Sequence, residues 1–240
     1  ITGGQEFPVP RRRVGAIILS GDGRWAQRAG RPRLFGHHAG AKRVKEIVRA
    51  CKPLGVEYLT IFGFSTENWK RTQAEVAGLM SLFRQYIRKE ARGLKAEGVR
   101  VRFIGDRPRL DEKLRALMDE LEELTADNDG VNLTIALNYG GRDEVARATQ
   151  RLAQDVADGT LKPEDVGEET LPKYLDTHML PDPDLVIRTS GCLLYTSDDG
   201  DERTSVDLGG RLTLSKKNML YSTPLRAANQ PILKTTCRVT

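Results

Sequence analysis

The sequence predicts an α/β fold in which helices cover both faces of a mostly parallel sheet. Short continuous apolar runs, typical of buried strands, alternate along the chain with longer segments whose apolar residues recur at helical spacing. Strands that are separated by helices need crossover connections, and these favour parallel pairing with helices on both faces. Of the 240 residues, 39% are hydrophobic and 30% are charged, so the chain can bury a sizeable core.

Five strands are predicted. The first, 14–19, is a continuous apolar run that contains two isoleucines. The other four are similar short runs at 56–64, 99–104, 131–137 and 185–187. No run in the sequence reaches the roughly 18–20 apolar residues that a membrane-spanning helix needs.

Four helices are predicted between these strands. The first, 41–54, has apolar residues on one helical face and ends at Gly55. The second begins with a capping box of Thr72 and Glu75 and runs to about Gly98. The last two lie at 110–124 and 143–156.

The chain divides into three predicted parts. Residues 1–12 form a flexible N-terminal arm, and residues 13–191 form one domain. After Gly191 the composition changes: residues 192–240 contain neither Phe nor Trp, and polar clusters interrupt any helical periodicity. We therefore predict that 192–240 is a tail that does not continue the domain.

Charge and cysteine content exclude several classes of protein. The net charge of +5 is modest, and no RNA- or DNA-binding signature is present, so we expect no nucleic-acid partner. Three scattered cysteines are too few for a disulfide framework or a metal cage. The first 30 residues show no signal-peptide pattern. Together these features predict a soluble protein of a reducing compartment.

Polar loops follow the predicted strands, at the edge of a parallel sheet where ligands bind. The loop after the first strand reads Ser20-Gly21-Asp22-Gly23-Arg24-Trp25, and Arg33 and His37 come shortly after it. Two glycines let backbone N–H groups approach an anion, and the arginines supply charge-assisted donors. This pattern favours a phosphate or diphosphate cradle.

Two other interpretations of this loop exist. Gly21, Gly23 and Ala26 match a loose dinucleotide-binding fingerprint, which would indicate an oxidoreductase. That fingerprint requires a helix directly after the glycines, and we expect Gly30-Arg31-Pro32 to interrupt such a helix. The plainest alternative is a glycine turn that carries a surface arginine.

Further motifs decide between these interpretations. They are Phe62-Gly63-Phe64-Ser65-Thr66-Glu67-Asn68-Trp69-Lys70-Arg71, Asn138-Tyr139-Gly140-Gly141-Arg142 and Arg188-Thr189-Ser190-Gly191. With the first loop, they closely resemble the cis-prenyltransferases of the undecaprenyl diphosphate synthase type, in matching order over about 13–191. The resemblance implies a twisted, mostly parallel sheet surrounded by helices, a hydrophobic tunnel beside a diphosphate site, and a homodimer.

The resemblance also implies a reaction. Such enzymes condense isopentenyl diphosphate onto an allylic prenyl diphosphate, typically farnesyl diphosphate, with cis geometry, and they use Mg²⁺. A cytoplasmic location follows, with at most peripheral association with the inner face of the membrane through the product.

Site residues carry over from the matching motifs, and all of these roles are implied by the resemblance. The allylic diphosphate cradle comprises Gly23, Arg24, Arg33 and His37, and Gly21 and Asp22 are further substrate-binding residues of the same loop. Asn68 and Arg71 lie near the reacting carbons and diphosphates, and Asn68 has a catalytic role. Ser65 and Glu67 hold their loop, and Trp25 and Trp69 flank the site. Arg188 binds isopentenyl diphosphate, and Ser190 is a further substrate-binding residue.

Two departures from the family pattern bear on activity. Ser20 stands where the family has the aspartate that binds Mg²⁺ and assists catalysis, and Asp22 stands at the family's asparagine position. A hydroxyl is a poorer Mg²⁺ ligand than a carboxylate, which leaves Asp22 as the alternative ligand. The tail also lacks the family's last substrate-binding and metal-binding residues. A non-catalytic, prenyltransferase-like binding subunit is therefore a second hypothesis.

Overall fold

The computed structural model describes residues 13–19 and 21–188. The predicted arm and tail, together with Ser20 and Ser190, lie outside the described residues.

The described residues form a five-stranded sheet whose pairs are all parallel. The strands are β1 (Val14–Ile18), β2 (Tyr58–Ser65), β3 (Arg100–Ile104), β4 (Asn132–Tyr139) and β5 (Leu185–Arg188). Their order across the sheet is β3-β4-β2-β1-β5. The predicted parallel α/β fold is thus confirmed, and the carboxyl ends of β1, β2 and β5 lie at one edge of the sheet.

Five α-helices connect these strands. They are α1 (Asp22–Arg28), α2 (Arg33–Leu54), α3 (Gln73–Ala96), α4 (Glu112–Thr125) and α5 (Gly141–Ala157). The Thr72 hydroxyl accepts the Glu75 N–H at 3.3 Å, so the predicted cap does begin α3. A 3₁₀ helix, Thr66–Lys70, separates β2 from α3.

The start of α2 and the presence of α1 were predicted wrongly. We expected no helix before residue 41, but α1 begins directly after Gly21 and α2 begins at Arg33. Gly30-Arg31-Pro32 separates two helices rather than preventing one, because Pro32 has the φ of −58° that suits a helix entry. Gly36 and nearby polar residues hide the helical pattern, since glycine is a poor helix former.

The main core lies between one face of the sheet and helices α3 and α4. Leu114 and Met118 of α4 are fully buried and belong to the same cluster as Phe64, Val101 and Leu133 of the sheet. Burying side chains of this size contributes about 1.5–3 kcal/mol each. This packing fixes the strands whose carboxyl ends carry the candidate site.

Side chains close the outer edge of β3. The outward N–H of Val101 donates to the Thr125 hydroxyl at 3.1 Å. The N–H of Phe103 donates to the Glu122 carboxylate at 2.7 Å, and that of Gly105 donates to the Asp176 carboxylate at 3.2 Å. Unpaired edge groups would otherwise invite another strand, so these bonds protect the edge.

The pairing of β2 with β4 shifts register twice near the carboxyl ends. Phe62 pairs with Ala136 and Phe64 with Leu137, after which Ser65 pairs with Tyr139. One residue is therefore skipped on each strand, Gly63 on β2 and Asn138 on β4. Such bulges redirect the chain, and these two lie directly before the polar loops.

Candidate active site

A cavity of about 520 Å³ opens at the carboxyl ends of the strands. Among its lining residues are ten polar or glycine positions from five segments of the chain: Gly21, Asp22, Gly23, Arg24, Arg33, His37, Ser65, Asn68, Arg71 and Arg188. The structure thus brings together most of the predicted site residues that it describes. Four of the ten are arginines, so this end of the cavity is strongly cationic.

The rest of the cavity is mainly apolar and elongated. Its lining follows α2 from Arg33 to Val48, a length of about 20 Å at 1.5 Å per residue. The apolar lining residues include Val44, Val48, Ile61, Leu79, Leu82, Phe83, Ile87, Leu94 and Ile135. A cationic end joined to a long apolar interior fits an amphiphile with an anionic head group.

Close contact between α1 and α2 shapes the cationic end. A Cβ atom added to Gly36 would lie 2.0 Å from the carbonyl oxygen of Asp22, so only glycine allows this approach. Gly21 begins α1 with a φ of 92°, in the left-handed region that favours glycine. A Cβ atom on Gly23 would lie 3.1 Å from Cζ of Arg33. The glycines therefore set the first turns of the two helices side by side.

Glu75 organises three of the cationic residues. Its Oε1 atom lies 3.1 Å from Nε of Arg33, 3.4 Å from Nε2 of His37 and 3.0 Å from Nη1 of Arg71. Glu75 itself does not line the cavity, so it holds these side chains from behind. Burial alone would raise the pKa of Glu75, but hydrogen bonds from Arg33 and His37 and the nearby positive charges lower it. The sequence analysis assigned Glu75 to a helix cap and missed this role.

Burial shifts the pKa values of Asp22 and His37 in opposite directions. Burial raises the pKa of Asp22, against the opposing effect of nearby His37. Burial also lowers the pKa of His37, which the hydrogen bond with Glu75 only partly offsets. Both shifts disfavour the charged forms, as expected for groups in a partly dehydrated cavity.

The 3₁₀ helix presents Asn68 to the cavity. The Asn68 side-chain oxygen accepts the Ser65 N–H at 3.2 Å, and the Ser65 side chain accepts the backbone N–H of Asn68. This reciprocal cap holds the turn. Hydrogen bonds to its own backbone N–H and with Ser65 lower the pKa of Glu67, which does not line the cavity.

The two predicted aromatic residues lie beside the cavity but do not line it. Trp25 is 53% exposed and stacks on Phe35, with ring centroids 6.1 Å apart. Trp69 packs edge-on against Phe64 at 5.2 Å, and its indole N–H donates to Asn138 at 2.6 Å. Trp69 is thus fixed toward the sheet.

Ion pairs join α2 to α3 along the apolar part of the cavity. Nζ of Lys45 lies 2.6 Å from the Glu90 carboxylate, and Nη2 of Arg49 lies 2.5 Å from that of Glu97. Lys45, Glu90 and Glu97 all line the cavity. Because each carboxylate has a cationic partner, this part of the wall carries little net charge.

Among the described residues, Asp22 is the one carboxylate that lines the cationic end of the cavity, since Glu90 and Glu97 line its apolar part and are paired with Lys45 and Arg49. No group of three or more His, Cys, Asp or Glu side chains able to hold a metal occurs among residues 13–19 and 21–188. Mg²⁺ at diphosphate sites, however, commonly takes one or two carboxylates and completes its shell with phosphate oxygens and water. The half-buried Asp22 carboxylate, whose pKa is raised, is a group that a bound cation would stabilise.

Within the part of the chain that the structure describes, no helix combines the length and the apolar character needed to cross a bilayer.

Comparison with known proteins agrees with this geometry. Residues 18–193 match the model of a family described as "Putative undecaprenyl diphosphate synthase". An isoprenyl transferase of Agrobacterium fabrum is 49% identical over 176 residues, which cover 73% of this chain and 71% of the relative.

Solved structures show a similar fold. A lavandulyl diphosphate synthase from Lavandula x intermedia, in complex with dimethylallyl diphosphate, aligns with a TM-score of 0.73 and 32% identity, over 75% of this chain and 78% of that one. A probable undecaprenyl diphosphate synthase from Campylobacter jejuni aligns with a TM-score of 0.64 and 25% identity, over 83% and 87% of the two chains.

Proposed function

Because this chain belongs to the undecaprenyl diphosphate synthase family, we propose that it extends farnesyl diphosphate with isopentenyl diphosphate, forming cis double bonds. Prenyl chain elongation is the activity of the family; the choice of farnesyl diphosphate and the cis geometry are our proposal. The proposal includes a homodimer and a cytoplasmic location with peripheral membrane contact through the lipid product.

The amphiphilic shape of the cavity carries this proposal. Arg24, Arg33 and Arg71 line one end and supply charge-assisted donors for a diphosphate. The elongated apolar remainder would remove a prenyl chain from water, at about 0.8 kcal/mol for each buried CH₂ group. A dinucleotide would not use a long apolar wall, so the structure gives the oxidoreductase hypothesis no support.

The chain's own residues can promote each step of this reaction. The allylic C–O bond breaks and its electron pair leaves with the diphosphate, whose charge the arginines stabilise. The double bond of isopentenyl diphosphate then forms the new C–C bond, and transfer of a proton from the resulting cation to an oxygen of the released diphosphate creates the new double bond. Arg188 and Asn68 lie where they can position the second substrate, and the apolar wall keeps water from the allylic cation.

Mg²⁺ belongs to the proposal through Asp22. The ion would be held by this carboxylate and by diphosphate oxygens. When bound, it would supply further positive charge that stabilises the leaving diphosphate.

A second candidate is binding without turnover. Ser20 replaces the aspartate of the family pattern, which favours a subunit that binds a prenyl diphosphate and does not elongate it. Incorporation of labelled isopentenyl diphosphate, measured with and without EDTA, separates the two candidates. EDTA-sensitive incorporation by the natural chain supports elongation, whereas binding of farnesyl diphosphate with no incorporation supports the second candidate.

Calorimetric titration with farnesyl diphosphate tests the site itself. Arg24→Ala should weaken binding by about 1.5–3 kcal/mol, the range for hydrogen bonds to a charged group. Arg28→Ala is the matched control, because Arg28 lies one turn further along the same helix and does not line the cavity. Equal affinities in the two variants would refute the assignment of the cationic end.

A further inference from the structure

Asn138 is a buried polar residue that the proposed reaction does not use. It is completely buried and does not line the cavity. Its φ is 54°, and it is the one non-glycine residue with a positive φ among residues 13–19 and 21–188. Asparagine tolerates this left-handed conformation better than most residues, yet glycine would adopt it with less strain. The side chain must therefore have a use that glycine cannot supply.

Two short hydrogen bonds fix the orientation of the side chain, and its Nδ2 atom also donates to the Asp106 carboxylate at 3.4 Å. Its Oδ1 atom accepts the indole N–H of Trp69 at 2.6 Å, and its Nδ2 atom donates to the carbonyl oxygen of Asp106 at 2.7 Å. An indole can only donate and a carbonyl can only accept, so the amide cannot be flipped. Its backbone carbonyl also accepts the Asp106 N–H at 3.0 Å. Asn138 thereby ties the carboxyl end of β4 to the loops that follow β2 and β3.

Trp69 connects Asn138 to the cavity. Its ring lies against Phe64, and the guanidinium of Arg109 lies 4.7 Å from the ring centroid. Trp69 directly follows Asn68 in the 3₁₀ helix, and Asn68 lines the cavity. Holding the indole on the sheet side therefore fixes the orientation of the short helix that presents Asn68.

We propose that Asn138 is a positioning residue that acts through Trp69 to hold the 65–71 segment, including Asn68 and Arg71, at the cationic end of the cavity. The functional part of this inference rests on the proposed function; the structural part does not. Asn138 keeps its strained left-handed conformation because no other residue type both adopts this backbone conformation and makes the two short side-chain hydrogen bonds at this bulge.

Two variants test the inference. Asn138→Gly keeps the backbone conformation and removes the side-chain hydrogen bonds. Asn128→Gly is the control, because Asn128 is also a buried asparagine bonded to backbone, through Nδ2 to the Val99 carbonyl at 2.7 Å, and it lies at the opposite end of the sheet. The control therefore reports general loss of a buried hydrogen bond.

The first readout does not depend on catalysis. The chain has two tryptophans, so Trp25→Phe makes Trp69 the single reporter of indole fluorescence. In that background, Asn138→Gly should increase acrylamide quenching of Trp69, while Asn128→Gly should leave it near the starting value. Hydrogen–deuterium exchange of the 65–71 segment in the full natural chain should rise in Asn138→Gly alone.

The second readout is the affinity for farnesyl diphosphate, measured in the natural Trp25 background. Asn138→Gly should weaken this affinity roughly tenfold, the effect expected when a hydrogen bond from Arg71 to the charged diphosphate is lost. Asn128→Gly should leave the affinity unchanged. If Asn138→Gly does not fold, Trp69→Phe removes the same indole donor without touching the bulge, and it should give the same rise in exchange at 65–71.

The outcomes are distinct. Unchanged exchange and quenching in Asn138→Gly, or equal changes in Asn128→Gly, would overturn the inference whether or not farnesyl diphosphate binds. A loosened segment with unchanged affinity would also overturn it. Failure of the natural chain to bind farnesyl diphosphate would refute the proposed function, and the exchange result would still decide whether Asn138 holds the segment.

Discussion

Gly36→Ala should separate α1 from α2 and damage the cationic end of the cavity. The new Cβ atom would lie 2.0 Å from the carbonyl oxygen and 2.5 Å from the carbonyl carbon of Asp22, which are backbone atoms and cannot rotate away. To restore an ordinary contact, α1 must move by roughly 1 Å or more. Functional geometry tolerates only about 0.5 Å, so farnesyl diphosphate should bind more weakly.

Gly93→Ala isolates the cost of this clash to stability. Both glycines lie inside helices, where alanine gains about 1 kcal/mol in helix propensity, but a Cβ atom on Gly93 meets nothing within 4 Å. The difference between the two variants should therefore be the overpacking cost of about 1–3 kcal/mol.

Differential scanning calorimetry measures this difference as a shift in Tm, about 2–4 °C for each kcal/mol in a protein of this size. Gly40→Ala should cost less, because its Cβ atom would meet the Asp22 side chain, which can swing aside. Equal Tm values for the Gly36 and Gly93 variants, with natural farnesyl diphosphate affinity in Gly36→Ala, would refute the close approach of the two helices.

Three further predictions concern charge. Asp22→Asn should raise Tm at pH 7, because burial raises the pKa of Asp22 and disfavours its carboxylate. The gain in Tm should fade as the pH falls toward 3.8, the ordinary pKa of an aspartate. An unchanged Tm at pH 7 would contradict this prediction. Glu75→Gln should destabilise the fold by about 1–3 kcal/mol, since it leaves Arg33 and Arg71 without their shared carboxylate. Because the pKa of Glu75 is lowered, this loss of stability should have its full size above about pH 4.5 and shrink at lower pH. Urea titrations at several pH values measure it, and a loss that does not depend on pH would exclude charge as the cause. Burial lowers the pKa of His37, so a bound diphosphate should raise this pKa and cause the natural chain to take up protons. The His37→Gln variant should therefore take up fewer protons on binding, as measured by calorimetry in buffers of different ionisation enthalpy. Equal proton uptake by the two proteins would count against contact between His37 and the diphosphate.

The sequence predicted the sheet well because strand signals here are local. Continuous apolar runs such as 99–104 and 131–137 correspond to β3 and β4 with shifts of only one or two residues. Residues of the motif loops after β1 and β2, together with Arg188, line the cavity, since the carboxyl ends of parallel strands meet at one edge. The 138–142 motif does not line it.

Helix α1 and the first turns of α2 could not be predicted in this way. Gly36 lowers the helix propensity of this segment. Glycine is required at this position because the backbone of Asp22, on another helix, approaches too closely for a side chain. The roles of Glu75 and Asn138 depend on partners that lie 32–69 residues away in the sequence, so spacing within a motif gives no sign of them. These partners are Arg33 and His37 for Glu75, and Trp69 and Asp106 for Asn138. Arg71 lies only four residues before Glu75, and that pair alone would suggest an ordinary surface ion pair.

The affinity of the natural chain for allylic diphosphates of increasing length tests the account most directly. Dimethylallyl, geranyl and farnesyl diphosphate share one head group and differ by five-carbon units that the apolar cavity should bury. Each unit should strengthen binding by at least roughly tenfold, because burial contributes about 0.8 kcal/mol for each CH₂ group before ordering costs. Affinities that do not depend on chain length would contradict the assignment of the cavity as a prenyl diphosphate site.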